Sequence, residues 1–426
     1  MDKIIINGGK KLKGVVTISG SKNAALPILI STLLTDDRCE IRNVPDLEDV
    51  NTVISLLRHL GKEIKKNKDR IIISKGDNIC SDAPYDLVCK MRASVLVAGP
   101  LIARFKKAKI SLPGGCAIGI RPINIHLDGF KRLGVKYVIK EGDISLKAKK
   151  MVASKIILDF PSVGATENLL MLSTLVKGET IIENAAMEPE IIDLANFLNK
   201  CGAKISGIGT KKIIVNGIKK LNGCTYTVMP DRIETGTYII SSAITSGDIK
   251  ITNLIQEHNE SLIEKIKLAG VKIYQKNSFL NIKGINKIKS IDIETQVFPG
   301  FPTDLQPLLM ALMTIAKGES VITETIFENR LQTVGELVRM GADIKIKGNS
   351  AVISGVKKLT GTKVVASDLR SSAALILAGL AAKGKTEITG LEHLYRGYEN
   401  IVGKLKNLGA DIKLIKEGYL KKGESV

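Results

Sequence analysis

Tryptophan is absent from this 426-residue chain, and the aromatic share is only 4%. The core must therefore be aliphatic, and the ring platforms on which single-stranded nucleic acid stacks are missing. No run reaches the ~20 apolar residues of a membrane span. The opening Met1-Asp2-Lys3-Ile4-Ile5-Ile6-Asn7-Gly8 has no apolar stretch of signal-peptide length. The six cysteines (Cys39, Cys80, Cys89, Cys116, Cys201, Cys224) form no CxxC and no cluster with histidine. That argues against a structural metal and against a disulfide framework, and it fits a reducing cytoplasm. Any block of five or six like charges is missing too.

What the chain has in excess is positive charge: 63 Lys and Arg against 43 Asp and Glu, a net +20. One reading is a nucleic-acid binder. The other is a Lys-rich solvated surface. The lysines are scattered, often in pairs such as Lys10-Lys11, Lys65-Lys66 and Lys211-Lys212. That favours the surface reading, with part of the charge reserved for an anionic small-molecule substrate. Neither nucleic acid nor membrane is expected as a partner, and nothing specifies an oligomer. The length points to two domains.

Self-similarity organises the chain. An apolar helix ending in Gly recurs at Gly61, Gly134, Gly202, Gly270, Gly341 and Gly409, in steps of 73, 68, 68, 71 and 68 residues. A left-handed helix C-cap calls for glycine at that point. A second series runs in phase. Polar residues open an apolar helix at Lys22, Arg92, Ser162, Arg232, Asp304 and Arg370, in steps of 70, 70, 70, 72 and 66. The expected fold class is α/β, with six βαβαββ-like repeats of about 70 residues forming two closed domains of three. In IIINGGKKLKG, IIVNGIKKLNG and AVISGVKKLTG, the Asn-Gly and Ser-Gly pairs read as hairpin turns. Cations are disfavoured at helix N-termini, so Lys and Arg placed there suggest shared binding of an anion such as phosphate.

The stretch Leu112-Pro113-Gly114-Gly115-Cys116-Ala117-Ile118-Gly119-Ile120-Arg121-Pro122 cannot be a regular element. Cys116 sits between small residues, five positions from Arg121, and a nearby cation favours the reactive thiolate. A chemical role is expected for Cys116. The other five cysteines read as packing or surface residues.

Together, SGSKNAALPI, MRAS, LPGGCAIGIRP with His126 behind it, PSVGAT, PDRIETGTY, FPTDLQP, FENR and ASDLRSSAAL resemble the UDP-N-acetylglucosamine 1-carboxyvinyltransferases of the enolpyruvyl transferase family. The resemblance covers essentially the whole chain. It implies two inside-out α/β barrel domains, 22–229 and 1–21 with 230–426, the chain crossing near 21 and 230. It implies a cytoplasmic enzyme of peptidoglycan synthesis that joins phosphoenolpyruvate to UDP-N-acetylglucosamine through a tetrahedral intermediate, without metal or cofactor. Cys116 matches the loop thiol that protonates the phosphoenolpyruvate methylene carbon, forms a covalent adduct and is alkylated by fosfomycin-type epoxides. Lys22, Arg121 and Arg396 match cations around phosphoenolpyruvate, and Asn23 the polar contact beside them. Asp304 matches a general base at the sugar 3-hydroxyl. Arg92, Arg121, Pro122, Ile123, Asn124, Ile125, Ser162, Val163, Gly164 and Ile326 match nucleotide-sugar contacts. Arg330, Asp368, Leu369 and Arg370 match further site residues. His126 either supports the nucleotide side or is simply packed.

Three positions depart from the family pattern. Asn124 stands where aspartate is usual, Phe160 where many members carry lysine, and Met187 where arginine is common. The last two remove positive charge, a pattern that also fits the second paralogue of some Gram-positive bacteria. Two rivals remain: 5-enolpyruvylshikimate-3-phosphate synthase, which lacks the thiol loop, and a non-catalytic anion- or nucleic-acid-binding paralogue. Lys22, Cys116, Arg121, Asp304 and Arg396 together speak against the idle paralogue.

Overall fold

The computed structural model describes residues 2–77, 79–89, 91–112, 123–276 and 278–416. The chain forms two compact units. An inserted unit comprises Ser19–Asp231 and Val297–Pro299; a terminal unit comprises Met1–Ile18, Arg232–Gln296 and Gly300–Val426. Among the described residues no helix is long and apolar enough to cross a membrane.

Among the described residues each unit carries three four-stranded sheets of one topology: an edge strand pairs in parallel with its neighbour, and the next two pairings are antiparallel. In the inserted unit the first sheet runs Thr225–Thr227, Cys39–Arg42, Arg70–Lys75, Lys62–Asn67. Its edge strand comes from the end of the third repeat, so the unit closes on itself, with Thr225 opposite Glu40. In the terminal unit the last sheet runs Lys363–Val365, Lys385–Thr389, Lys3–Asn7, Asp411–Ile415. The N-terminal strand lies inside that sheet, Ile4 opposite both Ile388 and Leu414, and so completes the sixth repeat.

The strands alternate buried and exposed residues, so each sheet keeps one face in water. The helices fill the interiors. In the terminal unit Arg232–Ile244, Gln306–Met313 and Leu369–Ala381 pack on one another, the first two buried at every residue. In the inserted unit Ala98–Phe105 packs on Val163–Ser173, and the 3-10 stretch Arg92–Val97 touches that helix and Lys22–Ser31. Helices inside and sheets outside give the inside-out α/β arrangement. Burial all round explains why these helices lack an apolar stripe and read as apolar throughout.

The six helix-ending glycines all take the left-handed conformation, with φ between 85° and 98°. The hairpin reading of the Asn-Gly and Ser-Gly pairs is corrected by the structure. Lys3–Asn7 and Lys13–Thr17 lie in different sheets, as do Lys212–Asn216 and Thr225–Thr227, and Ser350–Ser354 and Lys363–Val365. Close backbone approach is what requires glycine there. A Cβ on Gly8, Gly217 or Gly355 would lie 2.2, 1.7 or 1.6 Å from the carbonyl oxygen of Ala382, Val176 or Ala316. A true hairpin joins Lys136–Lys140 to Asp143–Lys147, where Glu141 and Gly142 have φ of 54° and 80°.

Candidate active site

The helix-opening series sits where the repeat places it. Lys22 and Arg232 are the first residues of their helices, Ser162 caps Val163–Ser173, and Arg370 is second in Leu369–Ala381. Arg92 and Asp304 fall instead in 3-10 turns, Arg92–Val97 and Thr303–Leu305, that lead into Ala98–Phe105 and Gln306–Met313. These are not solvated caps. Arg232 and Arg370 are 9% and 4% exposed.

The repeat also supplies partners. The seventh residue after the strands ending at Arg42, Glu183, Thr252, Thr323 and Thr389 is Asp49, Glu190, Asn259, Arg330 and Arg396. In the first repeat Lys22 Nζ lies 3.6 Å from Asp49 Oδ2. In the fifth, Asp304 Oδ1 accepts from Arg330, which is 2% exposed. The same two positions are thus paired with their charges exchanged. The sixth repeat carries cations at both, Arg370 and Arg396, and Arg370 reaches across to Asp304 Oδ2 at 2.8 Å. The sequence series found Lys22, Asp304 and Arg370. Asp49 lies outside that series, because its place is set by the distance from a strand end and not by the start of an apolar helix.

In the terminal unit, two guanidinium groups therefore hold one oxygen each of Asp304. Arg370 also lies over the Tyr398 ring, 5.5 Å from its centroid, and Arg330 over Phe327 at 5.5 Å. Asp368 caps the Leu369–Ala381 helix, its Oδ1 accepting from Arg370 N (2.8 Å) and Ser371 N (3.1 Å). Leu369 is half-buried behind it. Arg396 ends the turn Leu391–Arg396 and is half-buried.

Glu324 is the second residue that sequence reading missed. It is 3% exposed, and its carboxylate accepts from Thr295 Oγ1 (2.9 Å), Thr303 Oγ1 (2.9 Å), Ile326 N (2.8 Å) and Phe327 N (3.1 Å). It ties the turn carrying Ile326 to the residue beside Asp304. A signal was present. Asn43, Asn184 and Asn253 occupy the same repeat position, with φ of 56°, 54° and 55°, and each clamps a neighbouring strand. Glu324 breaks that asparagine series.

In the inserted unit Lys22 donates its backbone N–H to Asp231 Oδ2 at 3.1 Å, and Ser21 caps its helix. Asn23 and Arg92 are half-buried, as are Ile123 and Ile125, whereas Asn124 is exposed and opens the helix Asn124–Arg132. Ser162 Oγ accepts from Ala165 N at 3.3 Å, and Val163 and Gly164 follow in the first turn. Phe160 is 45% exposed beside them; Met187 is half-buried.

His126 is packed. It is 7% exposed, its Nδ1 lies 3.0 Å from Asn168 Nδ2, and a Cβ on Gly164 would come within 3.3 Å of its ring. Burial, and then the charge of Arg92, lowers its pKa to about 4, so it is neutral at pH 7. Cys116, Arg121 and Pro122 lie outside the described residues. Among the described residues, no group of three or more His, Cys, Asp or Glu is placed to hold a metal ion.

Residues 6–405 match the family model of EPSP synthase (3-phosphoshikimate 1-carboxyvinyltransferase). The chain is 54% identical over 417 residues to UDP-N-acetylglucosamine 1-carboxyvinyltransferase of Geobacter metallireducens, covering 98% of this chain and 100% of the relative. It is 52% identical over 412 residues to UDP-N-acetylglucosamine 1-carboxyvinyltransferase 1 of Caldanaerobacter subterraneus subsp. tengcongensis, covering 96% and 99%. Among solved structures, the enolpyruvyl transferase NikO from Streptomyces tendae superposes with a TM-score of 0.87 at 23% identity, covering 97% of this chain and 99% of that one. EPSP synthase from Acinetobacter baumannii gives 0.78 at 19% identity, covering 98% and 100%. These two likenesses establish the fold.

Proposed function

Because this chain belongs to the EPSP synthase family and, within it, to the UDP-N-acetylglucosamine 1-carboxyvinyltransferases, we propose that it transfers the enolpyruvyl group of phosphoenolpyruvate to the 3-hydroxyl of UDP-N-acetylglucosamine, releasing phosphate. The observation that carries the proposal is the identity over the full length of relatives bearing that name. The step belongs to peptidoglycan synthesis in the cytoplasm, and the two units act as its two domains.

The roles divide between the units. The inserted unit contributes Lys22, Asn23, Arg92, Cys116, Arg121–Ile125 and Ser162–Gly164. The terminal unit contributes Asp304, Ile326, Arg330, Asp368–Arg370 and Arg396. Asp304 takes the proton of the sugar hydroxyl as its oxygen bonds to C2 of phosphoenolpyruvate. Cys116 gives a proton to C3. Loss of phosphate from C2 and of a proton from C3 then leaves the enol ether. Lys22, Arg121 and Arg396 balance the charge of the departing phosphate. Asp304 suits the role of base, because it is a carboxylate whose two oxygens each meet one guanidinium. The arginines also fix its orientation, which a base acting in one geometry needs.

Phosphate release from phosphoenolpyruvate tests both the reading and its rival. Release is expected with UDP-N-acetylglucosamine and not with shikimate-3-phosphate; the reverse would make the chain a shikimate-pathway transferase. Asp304→Asn should lower kcat by about 100-fold or more while KM changes little. A KM effect as large as the kcat effect would make Asp304 a ligand rather than a base.

A further inference from the structure

Three cysteines with no part in this chemistry meet in the inserted unit. Cys39 opens the strand Cys39–Arg42, Cys201 follows the helix Pro189–Lys200, and Cys224 precedes the strand Thr225–Thr227. Cys201 Sγ lies 3.2 Å from Cys224 Sγ, and Cys39 neighbours them, its own thiol donating to Asp37 O at 3.9 Å. All three are free thiols. Cys39 and Cys201 are 0% and 2% exposed, but Cys224 is half-buried, so one member of the closest pair is open to a small oxidant.

The sulfurs of Cys201 and Cys224 need to close by only about 1 Å to reach a disulfide bond length of about 2.05 Å. The backbone holds both segments in place: Asn222 N donates to Cys201 O at 2.8 Å, and Glu40 N to Cys224 O at 2.9 Å. A Cβ on Gly223 would lie 2.1 Å from Arg38 O, so this segment is pressed against the first repeat.

We propose that Cys201 and Cys224 form an oxidation site, which hydrogen peroxide converts to a disulfide across the seam where the third repeat of the inserted unit returns to the first. The thiolate of Cys224 attacks one peroxide oxygen, the O–O bond breaks, and the hydroxide released takes a proton to become water. The sulfur is now a sulfenic acid. Cys201 sulfur attacks it, the S–O bond breaks, and the proton of Cys201 leaves with the hydroxide as a second water. Two thiols and one peroxide thus give one disulfide and two waters. The electrostatics favour this order. The hydrogen bond with Cys201 lowers the thiol pKa of Cys224, and lowers that of Cys39 to about 7, while Cys201 itself is raised and keeps its proton. Metal binding is the weaker reading, since among the described residues these thiols are not arranged to hold an ion.

The test is peptide mapping of the full-length protein. Peroxide treatment is followed by blocking of remaining thiols with N-ethylmaleimide, and digestion without reductant. The expected result is a cross-linked pair of peptides containing Cys201 and Cys224, a mass loss of about 2 Da for that pair, and reversal by dithiothreitol. Closing the 201–224 loop should also raise the thermal midpoint by several degrees relative to the reduced protein. Oxidation of Cys116 is read on its own peptide and does not interfere. Cys201→Ser and Cys224→Ser should each abolish the cross-link; if either variant fails to fold, the wild-type map decides alone. A bridge to Cys39, sulfinic acid at either residue without a bridge, or alkylation of both to the level of untreated protein would overturn the proposal.

Discussion

At residue scale, His126 shows how packing sets a titration. Its folded pKa is about 4, against an ordinary histidine value near 6.5 in the unfolded chain. Between those values the unfolded state holds the extra proton, so stability is complete above about pH 6.5 and is lost as pH falls toward 4. A gap of that size corresponds to about 3 kcal/mol. Asp193 works in the opposite sense, since burial raises its carboxyl to about 6 and folding then gains as pH falls. A His126→Gln comparison cancels that contribution. Urea midpoints measured from pH 7 to 4.5 should fall more steeply for wild type than for His126→Gln; parallel slopes would show that His126 is not the buried neutral group described. Lys22, Asp304 and Arg370 were legible in the sequence as members of one series. Asp49 and Glu324 hold positions counted from strand ends rather than from helix starts, so that series does not contain them, and their hydrogen-bond and ion-pair partners are what show their place in the site.

At element scale, glycine has two distinct uses here. At the helix ends it supplies the left-handed residue of a C-cap, which the sequence spacing announced. At Gly8, Gly217 and Gly355 it clears a carbonyl in a neighbouring segment, which local sequence cannot reveal. Gly217→Ala would place a methyl 1.7 Å from Val176 O and should destabilise the protein by about 3 kcal/mol. At Gly335, inside the helix Thr333–Arg339, an added Cβ would meet nothing within 4 Å. Gly335→Ala should therefore be neutral or stabilise by about 0.5–1 kcal/mol through helix propensity. Chemical denaturation of the pair checks both signs; equal effects would refute the packing account.

Across the molecule as a whole, the chain is permuted relative to its repeats. Lys3–Asn7 contributes Ile4 and Ile6, both fully buried, to a sheet whose other strands all lie between Lys363 and Ile415. Deleting residues 2–7 leaves Lys385–Thr389 and Asp411–Ile415 without the strand between them. Hydrogen exchange should then show lost protection in those two strands, with the Cys39–Arg42 sheet of the inserted unit unaffected. Uniform loss across both units would mean that they unfold as one.

Read in one dimension, the chain already holds the repeat, its length, the apolar helices and the polar residues that open them. Those features are periodic, and periodicity needs no folding to be seen. Folding alone decided which strands pair across the chain: Thr225–Thr227 joins Cys39–Arg42, and Lys13–Thr17 joins Asp248–Thr252. It decided that Asp304 takes two arginines, one from its own repeat and one from the next. It also brought Cys39, Cys201 and Cys224 together. Closure of a three-repeat unit joins its last segment to its first, and no local pattern records which side chains meet at that seam.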